Sequence, residues 1–192
     1  MELKNKTVLF LGSSVTFGSA SGGVSFVEML GEACGIVCVK EAVSGTTLAD
    51  INERSYLSRL KALDIDTKVD LFVCQLSTND ATKGIEESKI EAAIREIVEL
   101  VEQRFGCPIV FYTGTYFASE AYEKMIALLY GLQGEYGFAV LDLFHDAEMT
   151  GIDAERYRAY MKDPIHPTLL GYREWWTPKF VEFLNRLESA CK

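Results

Sequence analysis

The chain has 192 residues, 48% of them apolar and 24% charged, with a formal net charge of −9 at pH 7. This balance suits one globular domain spanning residues 1–192, and it argues against nucleic acid or an anionic membrane surface as partners, since both need a positive patch. No apolar run approaches the roughly 20 residues of a transmembrane helix, and two histidines without a C-x-x-C pair leave a poor ligand set for a metal.

The opening segment "MELKNKTVLF" lacks the apolar run and small-residue cleavage site of a secretory leader, so a cytoplasmic location is expected. Residues 8–11 form the first of five short apolar runs, followed by 36–39, 71–76, 109–112 and 138–143. All are rich in Val, Ile, Leu and Phe without polar alternation, as expected of strands buried on both faces. Between them lie segments of helical spacing. Ile90, Ile94, Ile97, Val98, Val101 and Phe105 form one apolar stripe, and Tyr122, Met125, Ile126 and Leu129 a second. A third runs through Leu169, Tyr172, Trp176, Phe180, Phe183 and Leu187, with Thr177-Pro178 expected to kink or restart it. Five cysteines, Cys34, Cys38, Cys74, Cys107 and Cys191, cannot pair completely and fit a reducing compartment; Cys74 reads as a core thiol.

Alternating strand and helix predict an α/β fold: a five-stranded parallel sheet with helices on both faces and the flavodoxin-like strand order 2-1-3-4-5. In that order the first strand lies between the second and third. The loops "GSSVTFG" (12–18), "EAVSGTT" (41–47) and "STNDAT" (77–82) then converge at the edge where such sheets bind ligands.

Three uses of the hydroxyl-rich first loop compete: helix capping, a phosphate cradle, or display of a nucleophilic serine. Gly12 and Gly18 are separated by five residues with no lysine, which breaks the P-loop pattern, and G-x-G-x-x-G is absent. A non-catalytic flavodoxin-like module holding phosphate or FMN through Ser and Thr hydroxyls is the alternative reading. A serine nucleophile requires a base, an orienting group and an oxyanion site. His166, in "KDPIHPTLLGY", has Asp163 three residues before it, close enough to fix its tautomer, and Pro167 is expected to open a helix. His145, in "DLFHDAEM", has Asp142 and Asp146 nearby and also follows a strand; its ordinary reading is a loop histidine. Asn79 offers a side-chain amide and Gly45 a close-approaching backbone N–H, although each taken alone reads as a turn or cap residue.

These blocks resemble the SGNH/GDSL hydrolases. "LFLGSSVTFG" is similar to their first block, "AVSGTT" to the glycine block, "LSTND" to the asparagine block and "DPIHPTLLGY" to the closing Asp-x-x-His block, in the family's order along the whole chain. The resemblance implies Ser14 as nucleophile, His166 as base and Asp163 as its orienter. It implies oxyanion donors from the N–H groups of Ser14 and Gly45 and from the Asn79 side chain. It further implies a three-layer α/β/α sandwich that hydrolyses esters or thioesters with no cofactor. Ser13 stands where many members have aspartate. Ser77 stands where glycine is usual, so it is expected to crowd the pocket or to add a donor. The short chain leaves no room for a large lid, which favours short acyl groups such as acetyl on a small-molecule ester, an acylated carbohydrate being one candidate.

Two further features have double readings. Tyr172, Trp175 and Trp176 form either an aromatic platform for a ligand or core packing with one tryptophan inward. The segment "TGTYFASEAY", with Thr115, Tyr116 and Phe117, forms either a pocket wall or an ordinary loop to a helix capped by Ser119.

Overall fold

The computed structural model describes residues 3–64, 66 and 68–190; Cys191 lies outside the described residues. Five parallel strands, β1 (Thr7–Gly12), β2 (Val37–Ala42), β3 (Leu71–Gln75), β4 (Ile109–Tyr112) and β5 (Ala139–Leu141), form a sheet in the order β2-β1-β3-β4-β5. The helices are α1 (Ser14–Phe17), α2 (Phe26–Cys34), α3 (Tyr56–Ala62), α4 (Thr78–Thr82), α5 (Glu87–Arg104), α6 (Glu120–Tyr136), α7 (Ala147–Thr150), α8 (Ala154–Tyr160), α9 (Leu169–Gly171) and α10 (Thr177–Ala190). The predicted α/β/α sandwich with its 2-1-3-4-5 order is the observed one.

Successive strand residues point to opposite faces, so each central strand feeds two cores. Val8, Phe10, Leu71, Val73, Val110 and Tyr112 pack with α2 and α10. Leu9, Leu11, Phe72, Cys74, Ile109 and Phe111 pack with α3, α5 and α6. In the first core Phe26 stacks on Phe180 at 4.2 Å and meets the Tyr112 ring edge-on at 5.3 Å. Full burial of one such side chain contributes about 1.5–3 kcal/mol.

Burial on both faces holds for β1, β3 and β4 but not for the two edges. β2 was expected at 36–39; it pairs with β1 from Val37 to Ala42 and is exposed or half-buried along its length. The register with β1 sets its extent, and an edge position tolerates Lys40 and Glu41. β5 is also shorter than expected, with only Leu141 of its three residues buried.

Residues Tyr172–Trp176 form a π turn directly before Thr177-Pro178, where the kink was expected. The wider turn brings consecutive indoles inward: Trp176 is fully buried and Trp175 is 7% exposed. Both tryptophans are therefore packing residues and form no exposed platform. Among the described residues, no helix is long and apolar enough to cross a membrane.

Candidate active site

β1 runs into α1 with only Ser13 between them. A Cβ at Gly12 would lie 1.7 Å from Thr16 Oγ1, so the tight strand-to-helix turn requires glycine there. The core beneath anchors α1 at three points. Tyr112 OH and Thr16 Oγ1 are 2.6 Å apart, Tyr172 OH donates to the Val15 carbonyl at 2.7 Å, and Ser25 Oγ donates to the Thr16 carbonyl at 2.7 Å. Ser14 is thereby held at the sheet edge, 7% exposed.

Ser14 Oγ lies 2.8 Å from His166 Nε2. His166 Nδ1 lies 3.0 and 2.9 Å from the two carboxylate oxygens of Asp163. Asp163 Oδ1 also accepts the N–H groups of Ile165 at 2.8 Å and His166 at 2.9 Å, a local turn that fixes the carboxylate against the ring. Partial burial pushes the Asp163 carboxyl upward, but these donors and the imidazole outweigh it and hold the group below the usual carboxylate range. With Nδ1 protonated toward Asp163, Nε2 is free to accept the serine proton.

The helix expected to open at Pro167 begins two residues later. Pro167 is buried in an isolated bridge to Met161, and Thr168 caps α9 by accepting the Gly171 N–H at 3.1 Å. The bridge closes the turn that carries Asp163 and His166. His145 pairs with Asp142 at 2.8 Å and is 57% exposed; its ring touches Asp142 and Phe144 rather than Ser14.

Gly45 is exposed, with φ +77°, and a Cβ there would meet open space. Its carbonyl accepts from Lys83 Nζ at 2.7 Å. Asn79 Nδ2 donates to the Thr46 carbonyl at 2.9 Å, which occupies one amide hydrogen and leaves the second for a ligand. Ser19 Oγ and Ser44 Oγ, 2.5 Å apart, tie the first loop to the second. The structure thus links Ser14, His166 and Asp163 in one hydrogen-bonded chain and joins Asn79 to the loop of Gly45.

The family model of GDSL-like lipases and acylhydrolases matches residues 10–174. The chain belongs to this family. No curated protein matches it. Solved structures share its fold at low identity. A protein of Lactobacillus plantarum aligns with a TM-score of 0.79 at 19% identity, covering 95% of this chain and 98% of the other. A member of the lipolytic G-D-S-L family from Veillonella parvula aligns at 0.75 and 14% identity, covering 94% and 99%. An acetyl xylan esterase from Geobacillus stearothermophilus aligns at 0.72 and 18% identity, covering 95% and 96%. As a GDSL-like acylhydrolase the chain is an ester-hydrolysing enzyme.

Two departures from the usual GDSL blocks have structural explanations. The buried Ser77 hydroxyl accepts the Asn79 N–H at 3.2 Å and lies 3.4 Å from the Thr46 carbonyl, so it caps α4 within the loop junction. The Ser13 hydroxyl is buried 3.3 Å from Gln75 Oε1.

Sequence reasoning missed three supporting residues. Gln75, fully buried at the end of β3, accepts through Oε1 from Ser13 N–H at 2.9 Å and Thr16 Oγ1 at 2.9 Å. Asp80, also fully buried, accepts the N–H groups of Leu48 at 2.8 Å and Ala49 at 2.9 Å; burial still pushes its carboxyl above the usual range. Arg59 of α3 donates to the Gly12 carbonyl at 2.8 Å and to Glu41 Oε1 at 2.7 Å, bracing the ends of β1 and β2. Gln75 had a signal: it is the one polar residue in the apolar run 71–76.

Proposed function

We propose that this acylhydrolase cleaves esters of short acyl groups, acetyl foremost, through an acyl-enzyme on Ser14. The observation that carries the reading is the 2.8 Å contact between Ser14 Oγ and His166 Nε2, with Asp163 on the far side of the ring. Ser14 attacks the acyl carbonyl as His166 accepts its proton. The N–H groups of Ser14 and Gly45 and the Asn79 amide receive the developing oxyanion. His166 then protonates the departing alkoxide, and a water that gives its proton to the same imidazole resolves the acyl-enzyme.

A chain of 192 residues without an insertion long enough for a large lid supports a small acyl group. The likeness to an acetyl xylan esterase agrees with an acetylated carbohydrate as substrate. The test is hydrolysis of p-nitrophenyl acetate by the wild-type protein and by Ser14→Ala. Activity is expected to disappear in the variant; equal rates would remove Ser14 from the mechanism. A p-nitrophenyl ester series of increasing chain length is expected to show kcat/KM highest at acetyl, and a maximum at long chains would overturn the acyl assignment.

A further inference from the structure

Beside Gly45 lies a recess of about 260 Å³, lined by Gly45, Thr46, Asn52, Glu53, Arg54 and Lys83. Every side chain in that lining is polar or charged. Lys83 Nζ already donates to the Gly45 carbonyl, which leaves two ammonium hydrogens for other acceptors. The Arg54 backbone is fixed on both sides: its N–H donates to Asn52 Oδ1 at 2.9 Å, and its carbonyl accepts from Arg59 Nε at 3.0 Å. Among the described residues, neither the Arg54 guanidinium nor the Lys83 ammonium forms a salt bridge. Most other basic side chains at the edges of this fold do, including Lys40, Lys61, Arg95 and Lys179. The lining holds two cations and one anion, Glu53; Lys83 also interacts with the buried Asp80 behind it, so the positive charge of the recess rests mainly on Arg54, in a chain whose net charge is −9.

An acetyl group ends at the reaction centre and cannot reach past Gly45. Gly45 belongs both to the candidate oxyanion loop and to the lining of this recess, so the larger alcohol portion of the ester is the part with the length to reach it. We infer that the recess beside Gly45 is a leaving-group subsite for a carboxylate-bearing alcohol, with Arg54 and Lys83 as its specificity-determining residues. This rests on the reading of Ser14 and Gly45 given above. Arg54 supplies a planar fork that matches a carboxylate in two contacts, and Lys83 supplies a second positive charge. The local pair governs at this range, because charges beyond about 8 Å are screened at physiological salt. The overall charge of −9 would by itself disfavour an anionic substrate, and the recess offsets that for one end of the molecule.

The experiment compares 3- and 4-acetoxybenzoate with their methyl esters, which keep the ester and remove the charge. Wild-type protein is expected to favour the anions in kcat/KM by roughly five- to tenfold at low ionic strength, the scale of one charge-assisted contact. The preference should shrink with added salt. Arg54→Gln should reduce it to about twofold or less while leaving the methyl esters unaffected, and Glu53→Gln should increase it. Lys83→Met is expected to reduce the preference too, and any loss common to both esters reports its bond to Gly45. Equal rates for anion and methyl ester, or a preference that survives both Arg54→Gln and Lys83→Met, would overturn the subsite and leave the hydrolase reading intact. Failure to hydrolyse any of the four esters and p-nitrophenyl acetate would overturn that reading and the subsite with it.

Discussion

Each residue at the candidate centre works through an atom that another residue has already oriented. Asn79 is tied through one amide hydrogen to Thr46, which fixes the amide proposed as an oxyanion donor before any substrate arrives. Asn79→Ala is expected to lower kcat by about 10²–10³-fold, or roughly 2.7–4 kcal/mol, with a much smaller change in KM. Steady-state kinetics on p-nitrophenyl acetate checks this, and an unchanged kcat would exclude Asn79. Gln75 acts one step further back, on the turn that presents Ser14. Gln75→Leu strands the Ser13 N–H and leaves the Thr16 hydroxyl with Tyr112 alone, which should lower unfolding free energy by about 1–3 kcal/mol in urea titration. It should also reduce kcat through a misplaced serine; stability loss with unaltered kcat would make Gln75 structural only. Asp163 and His166 were legible because their pairing is local, three residues apart. Gln75 was not, because its partners Ser13 and Thr16 lie 62 and 59 residues away.

At the scale of elements, α4 acts as a clip on the loop of Gly45. From its cap through the residue after its end, Ser77, Asn79, Asp80 and Lys83 contact the backbone between Gly45 and Ala49. Asp80 is the firmest of these contacts, a buried carboxylate on two successive amides. Asp80→Ala leaves both N–H groups without an acceptor, at about 1–3 kcal/mol. Amide hydrogen exchange at Leu48 and Ala49 should accelerate in that variant while α5 and α6 stay protected, and kcat should fall as Gly45 loses its setting. Unchanged exchange at those two amides would show that the loop holds itself. The sequence could place Asp80 only as part of a turn or cap beside Asn79, since nothing in "STND" names the distant loop it grips. Elsewhere legibility followed periodicity. β4 appears at the predicted residues because both its faces are buried, whereas β2 is displaced because its pairing with β1, not its hydrophobicity, decides where it ends. The π turn escaped for a related reason: a fixed helical period assigns one of two adjacent tryptophans to solvent, and one extra residue in the turn buries both.

Over the whole molecule, the carboxylates determine how stability responds to acid. Burial pushes the carboxyls of Glu28, Asp50, Asp142 and Asp163 upward, yet each lies below its usual range because donated hydrogen bonds prevail. The donors are Lys40 and Ser25 for Glu28, Ser55 and Ser58 for Asp50, His145 for Asp142, and Ile165 and His166 for Asp163. A depressed carboxyl binds fewer protons in the folded than in the unfolded chain. Its contribution is complete above the unfolded value, near pH 4, and is lost as pH falls through the folded value. Asp80, raised by burial, has the opposite sign: the folded state keeps a proton that the unfolded chain releases, so acidification favours folding at that one site. Relief of the −9 charge on mild acidification also favours folding, as self-repulsion declines. These effects separate on the pH axis. The urea midpoint is expected to hold or rise slightly between about pH 7 and pH 5, then to drop steeply below about pH 4, where these four depressed groups, joined by Asp70, Glu120, Glu135 and Asp153, outweigh the one raised group. A midpoint at about pH 3.5 equal to or above that at pH 5 would mean that the hydrogen bonds to these carboxylates do not hold them ionised in the folded chain.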